Sequence, residues 1–217
     1  MGLLACLSVP AGASAGDLDQ QQTLANGARG IVSTQSGAQT FTAGRTGLLD
    51  QVDLDLAKGG SPVNLTVELR DAAAGEPGTQ VLASASLPAS GVPLTAAHAF
   101  VAIPFAAPAS VTAGTQYAIV AYAAGSGGDY YYWWDGGPPS QYAGGMEFVP
   151  LSSPPVAPWN PFPTLDFAFK TYVAPPGSSA SGPGATGQRA AALQKCKKKH
   201  SHHARKRCRR RANRLPV

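Results

Sequence analysis

The sequence predicts an all-β protein, a sandwich of about nine antiparallel strands followed by a flexible linker and a short basic helical tail. Three observations carry that reading. Apolar and polar residues alternate with a period of two from about residue 37 to residue 173. Gly (25) and Pro (19) make up about a fifth of the 217 residues, which interrupts long helices but suits short strands and tight turns. The charges are also sorted along the chain. Residues 1–187 hold five basic side chains and all 12 acids, a net of −7, whereas residues 188–217 hold 12 basic side chains and no acid. An acidic body thus precedes a cationic tail, and 217 residues with 44% apolar content suffice for one core.

The N-terminus, MGLLACLSVPAGASAGD, sets an apolar run from Leu3 to Val9 ahead of Ala13-Ser14-Ala15, the small-x-small pattern of a signal peptidase site. Residues 1–15 are read as a signal peptide cut after Ala15. The basic n-region is missing, so either the true translation start lies upstream or the run is not a signal at all. Leu3-Leu4-Ala5-Cys6 also resembles a lipoprotein box with Cys6 as the lipidated residue; the alternative is a small residue inside a discarded leader. Gly12-Ala13-Ser14-Ala15-Gly16 matches the nucleophile-elbow pattern, but neither the strand nor the helix that such an elbow requires flanks it. No other stretch approaches the roughly 20 apolar residues of a membrane span. The expected location is outside the cell, secreted or on the surface, with no transmembrane span in the mature chain.

The strands are read in residues 16–173. In Leu48–Leu56, Val52, Leu54 and Leu56 share one face, and Asp53 and Asp55 take the other as solvated acids. Asn64–Arg70 turns Leu65, Val67 and Leu69 inward and Thr66, Glu68 and Arg70 outward, and Gly75-Glu76-Pro77-Gly78 then turns the chain into Gln80–Leu87. The remaining strands are Gln39–Thr42, Ala99–Phe105, Gln116–Ala123, Asp129–Trp134, Gly145–Val149 and Leu165–Val173. Thr112–Tyr117 reads as the turn into a sandwich strand, with Tyr117 tucked in and bonded to nearby backbone.

The succession QTFTAGRTGLLDQVDLDLAKGG, NLTVELRD, GEPGTQVLASASL, VTAGTQYAIVAYA, YYYWW and LDFAFKTYV resembles the β-sandwich domains of bacterial extracellular "choice-of-anchor" proteins over roughly residues 20 to 173. The resemblance implies a jelly-roll-like sandwich exposed outside the cell, with no catalytic residues to carry over.

The most suggestive chemistry is the run Tyr130-Tyr131-Tyr132-Trp133-Trp134. A strand sends Tyr130, Tyr132 and Trp134 to one face and Tyr131 and Trp133 to the other, so only one set enters the core. The outer set, with Trp159, makes a platform for stacking sugar rings; the competing reading covers both sets, one with the opposite sheet and the other with the Pro-rich loop carrying Trp159 and Phe162. Asp53, Asp55, Asp129 and Asp135 carry oxygens suited to Ca²⁺ if they converge. For glycoside hydrolysis the body has only Glu68, Glu76 and Glu147, with nothing in the sequence to pair them, and His98 has no motif around it. No catalytic residue, metal or cofactor is assigned, and the sandwich is expected to present a surface to glycan or protein.

Residues 174–187, APPGSSASGPGATG, lack large apolar side chains and read as a flexible linker spanning on the order of 20 Å. In the tail, residues 188–217, Lys195, Lys197, Lys198, Lys199, Arg205, Lys206, Arg207, Arg209, Arg210 and Arg211 form a cationic block suited to an anionic envelope polymer or lipid headgroups. The same charge would bind nucleic acid only nonspecifically. Cys196 and Cys208 are candidates for a disulfide; on one continuous helix their 12-residue separation would hold them about 18 Å apart, so pairing demands a bend. A rival set, Cys196, His200, His202, His203 and Cys208, would offer Zn²⁺ ligands at a nonstandard spacing. The tail resembles the Lys/Arg-rich, twin-cysteine C-termini of predicted secreted actinobacterial proteins.

The favoured function is a noncatalytic surface module held by its tail. A structural surface-layer domain without a soluble ligand and a secreted hydrolase are the alternatives.

Overall fold

The structure, a computed structural model, describes residues 15–123 and 129–176, together with Cys196, Lys206–Cys208 and Arg211. The described residues form twelve strands: β1 (Asp17–Gln22), β2 (Gly27–Ile31), β3 (Gly37–Thr42), β4 (Gly47–Gly59), β5 (Leu65–Ala73), β6 (Glu76–Leu87), β7 (Ala99–Val111), β8 (Gln116–Tyr122), β9 (Tyr130–Asp135), β10 (Glu147–Phe148), β11 (Pro161–Phe162) and β12 (Phe169–Ala174). All strand pairs are antiparallel and fall into two sheets of six.

The protein is therefore an all-β sandwich, and its connections are those of a jelly roll. Setting β2, β9, β10 and β11 aside and numbering the others one to eight in chain order, the first sheet runs 1-8-3-6 and the second 2-7-4-5. Strand β4 organises the first sheet. Along one edge it meets β7; along the other it meets β12 through Leu48–Leu54 and then β9 through Leu56–Gly59.

The core between the sheets follows the period-two pattern. Val52, Leu54 and Leu56 of β4 and Tyr131 and Trp133 of β9 meet Leu65, Val67 and Leu69 of β5, Phe41 of β3 and Ile119 of β8, all fully buried. Trp133 stacks on Phe167 with ring centroids 4.1 Å apart, and its indole N–H donates to the Ala168 carbonyl at 2.9 Å. Tyr131 hides its ring and donates its hydroxyl to the Val63 carbonyl at 2.6 Å. Both large rings thus enter the core with their polar ends satisfied. Tyr117 is buried as expected, and its hydroxyl accepts from the Thr112 amide at 3.0 Å.

Several boundaries differ from the sequence reading. Strands β1, β2 and β11 were not expected: DLDQQQ and GARGI show no apolar alternation, and β11 is two residues long with a Pro. The turn expected at Gly75–Gly78 is tighter. Ala73 pairs with Glu76, leaving Ala74 (φ 53°) and Gly75 (φ 89°) as a two-residue hairpin loop in the left-handed region, so Glu76, Pro77 and Gly78 already belong to β6. The edge position of β6 tolerates Pro77. Strand β7 continues past Phe105 to Val111, through Pro104 and Pro108, also on an edge. The last strand starts at Phe169 and includes Ala174, the first residue of the expected linker.

The outward acids were expected in solvent and are not there. Asp53 and Asp55 are 8% and 4% exposed, and Glu68 and Arg70 are 8% and 9% exposed. Arg70 pairs with Glu68 at 2.6 Å, and Tyr122 donates to the other Glu68 oxygen at 2.8 Å, so charge on the outer face of the second sheet is neutralised within a hydrogen-bonded set.

The sandwich forms one compact unit, Ala15–Ala180, and the tail belongs to another. In the tail, Cys196, Lys206–Cys208 and Arg211 are helical. Cys196 and Cys208 form a disulfide with Cα atoms 5.4 Å apart, against the about 18 Å that one continuous helix would impose. The expected leader, including Cys6 and all but the last residue of the cleavage motif, lies outside the described residues, as does the linker beyond Pro176. Among the described residues, no helix is long and apolar enough to cross a membrane.

Candidate functional site

Strand parity divides the aromatic run. Tyr131 and Trp133 are 0% exposed in the core, whereas Tyr130, Tyr132 and Trp134 stand half-buried on the outer face of the first sheet. Directly paired residues share a face, so the neighbours of this outer row are Gly59 and Ala57 on β4 and Gly30 and Ala28 on β2. All four are small. Tyr130 lies across Gly59, where any Cβ would collide with its ring, and Tyr130 and Tyr132 sit with centroids 4.9 Å apart.

The opposite half of the face adds side chains that the sequence reading left without a role. His98, just before β7, stacks on Trp134 with centroids 4.0 Å apart, and its Nδ1 lies 2.8 Å from Asp55 Oδ1. Phe100 pairs with Asp55 across β4 and β7. Lys170 pairs with Asp53 in register, yet its ammonium reaches past β4 to lie 4.2 Å over the Phe100 ring. Its aliphatic stem therefore crosses the Asp53–Asp55 row, which explains why acids on an outer face are buried. Asp53 accepts from Gln51 Nε2 at 2.7 Å and from the Tyr172 hydroxyl at 2.8 Å. Burial, reinforced by that bond to Asp53, pushes the Tyr172 hydroxyl up to about 12. The Trp134 indole N–H is covered and has no acceptor among the described residues.

At one end the aromatic row runs into a pocket of about 440 Å³ between loops, with Ile31, Val63 and Tyr131 as apolar wall and Ser61, Asp129 and Tyr130 toward the rim. Its size falls within the range of small-ligand sites.

Trp159 does not join this face. It lies 7% exposed on the outer side of the second sheet, packed edge-on against Phe148 over Ala38, Ala118 and Val120. The Pro-rich segment thus covers the other sheet. Phe162 sits elsewhere again, beneath the Arg29 guanidinium at 4.5 Å.

The carboxylates are also dispersed. Asp53 and Asp55 occupy the outer face, Asp129 is exposed near the pocket rim, and Asp135 follows Tyr131 and Trp133 inward. Among the described residues no group of three or more His, Cys, Asp or Glu side chains is placed to hold a metal ion. Glu68 is paired with Arg70 on the second sheet, Glu76 is exposed on edge strand β6, and Glu147 is inside the sandwich, so no two of the Glu residues face each other across a cleft. In the tail, Lys206, Arg207 and Arg211 are exposed; Lys195, Lys197, Lys198, Lys199, Arg205, Arg209 and Arg210 lie outside the described residues. Because Cys196 and Cys208 are bonded to each other, neither is a thiolate ligand, and the Zn²⁺ set with His200, His202 and His203 loses two of its members.

Glu147 is a buried acid that no local sequence signal marks. Its Oε1 pairs with Arg29 at 2.8 Å, while Oε2 is buried with no partner among the described residues. Burial pushes its carboxyl up to about 7 despite Arg29, and Asp135 and Asp166 push in the same direction. Asp166 itself is bonded by Gln39, Ser140 and the amides of Gln141 and Tyr142.

The chain matches no protein-family model and no curated protein.

Between the ordinary carboxyl value of 4.5 and about 7, folded Glu147 keeps a proton that the unfolded chain releases, so this residue's contribution weakens as pH rises through that window. Glu147→Gln has no such proton to lose. Chemical denaturation from pH 4.5 to 8 is expected to shift the stability difference by about 3 kcal/mol in the variant's favour. A difference that stays constant with pH contradicts the assignment.

Proposed function

We propose that the protein is a noncatalytic extracellular binding module whose first sheet docks a glycan chain on its outer face and whose cationic tail attaches it to an anionic envelope. The observation that carries the reading is the outer row of Tyr130, Tyr132 and Trp134, half-buried beside Gly and Ala on both neighbouring strands while its two sister rings fill the core. Partly exposed aromatic rings offer apolar area, rigidity and a polar edge, the features that suit the CH faces and hydroxyls of a pyranose. The small neighbours leave room beside the rings, and Tyr130 lies across Gly59. The pocket at the end of the row is positioned for the terminal unit of such a chain.

Titration of the full chain against a glycan array tests the reading. Saturable binding is expected, with Tyr132→Ala and Trp134→Ala each weakening it about tenfold, roughly 1.4 kcal/mol. Binding indifferent to both changes, or no glycan retained, removes the platform.

The exposed Lys206, Arg207 and Arg211 support the attachment role of the tail, and the disulfide constrains the chain that carries them. Retention on isolated cell envelope is expected to fall on deletion of residues 188–217 and on raising salt from roughly 0.1 M to 0.5 M, since such attraction is screened beyond about 10 Å at the lower value. Retention unchanged in both arms defeats electrostatic attachment.

A further inference from the structure

We propose that the ligand of the outer face is an acidic sugar chain, and that Lys170 is the residue selecting for its negative charge. The inference rests on the platform reading above and adds the chemical class of the ligand. It comes from the direction in which the polar groups of that face are turned. Both oxygens of Asp53 accept internal bonds, from Gln51 and Tyr172, and Asp55 holds Nδ1 of His98. Three of the four carboxylate oxygens of this pair are thereby engaged from within.

The nitrogens are not engaged in the same way. Lys170 makes no ion pair among the described residues, and its ammonium lies over the Phe100 ring, only partly buried. His98 Nε2 has no hydrogen-bond partner among the described residues and is not a buried orphan, so it is open to solvent. A ligand approaching the rings of Trp134, Phe100 and Tyr172 therefore meets the Lys170 ammonium and the His98 imidazole nitrogen. A neutral glycan would have only hydroxyls to offer these groups. A uronate carboxylate or a sulfate ester would pair with the ammonium, a stronger charge-assisted bond.

Of the body's net charge of −7, acids more than about 8 Å away are largely screened at physiological salt, whereas the Lys170 head is at the surface itself. Asp53 and Asp55 are nearer and less screened, and the bonds from Gln51, Tyr172 and His98 offset part of their charge.

The test uses the full chain and the fluorescence of Trp134, because the cationic tail also binds polyanions and only a signal at the sheet reports this site. A Trp134→Phe variant identifies that signal. Three short oligosaccharides of one linkage are titrated: an oligouronate, its neutral counterpart and a sulfated counterpart. The acidic chains are expected to bind at least about tenfold more tightly than the neutral one, with the uronate and sulfate arms telling which anion is preferred. Lys170→Met, which keeps an apolar stem over the acids, is expected to remove that preference, and Lys170→Arg to retain it. Equal response to neutral and acidic chains, or a preference that survives Lys170→Met, overturns the role of Lys170 while the aromatic platform stands. Absence of a Trp134 response to every chain overturns both.

Discussion

The fold depends on one constraint, the two-residue repeat of β9 held between β4 and β2. Five consecutive aromatic side chains cannot all enter one core from a single strand, because alternate ones leave the sheet in opposite directions. Trp133 and Tyr131 take the inner side, where the stack on Phe167 and the bonds to the Ala168 and Val63 carbonyls fix their orientation. Once they are placed, Tyr130, Tyr132 and Trp134 have nowhere to go but outward. The same repeat in β4 buries Leu54 and Leu56 against the second sheet and sends Asp53 and Asp55 to the surface that carries the rings. Core and candidate site are thus two sides of one sheet.

That surface mixes apolar rings with acids, and its stability rests on covering the acids. Lys170 reaches from β12 across β4 to Phe100, and His98 folds onto Trp134 while bonding Asp55. Each long side chain serves both charge and contact. A lysine stem shields carboxylates from water and presents its cation over the face of an aromatic ring. The polar layer inside the sandwich is of another kind. There Glu147 meets Arg29, its other oxygen has no partner among the described residues, and burial pushes its carboxyl up to about 7.

Much of the architecture was legible because it is written in alternation. Val52, Leu54 and Leu56, or Leu65, Val67 and Leu69, read as inward rows from their spacing alone, and the structure buries every one. What alternation does not carry is what happens at edges and across strands. DLDQQQ carries no apolar alternation, and β1 is held at its sheet edge by pairing with β12. Asp53 looked solvated because its cover, Lys170, is more than a hundred residues away in the chain. His98 carried no local motif, since its meaning comes from Asp55 and Trp134. The signal for Phe100, Lys170 and Tyr172 was present all the same: each takes the parity opposite to inward neighbours such as Phe169 and Val173. Trp159 misled because a Pro-rich loop can fold over either sheet, and it covers Phe148 rather than the aromatic run.

Hydroxyl-radical footprinting of residues 129–135, read residue by residue by mass spectrometry, tests the alternation most directly. Labelling is expected at Tyr130, Tyr132 and Trp134 and protection at Tyr131 and Trp133 until the protein unfolds. Uniform labelling along the five residues, or protection of the outer three with exposure of the inner two, would contradict the division of this strand between core and surface.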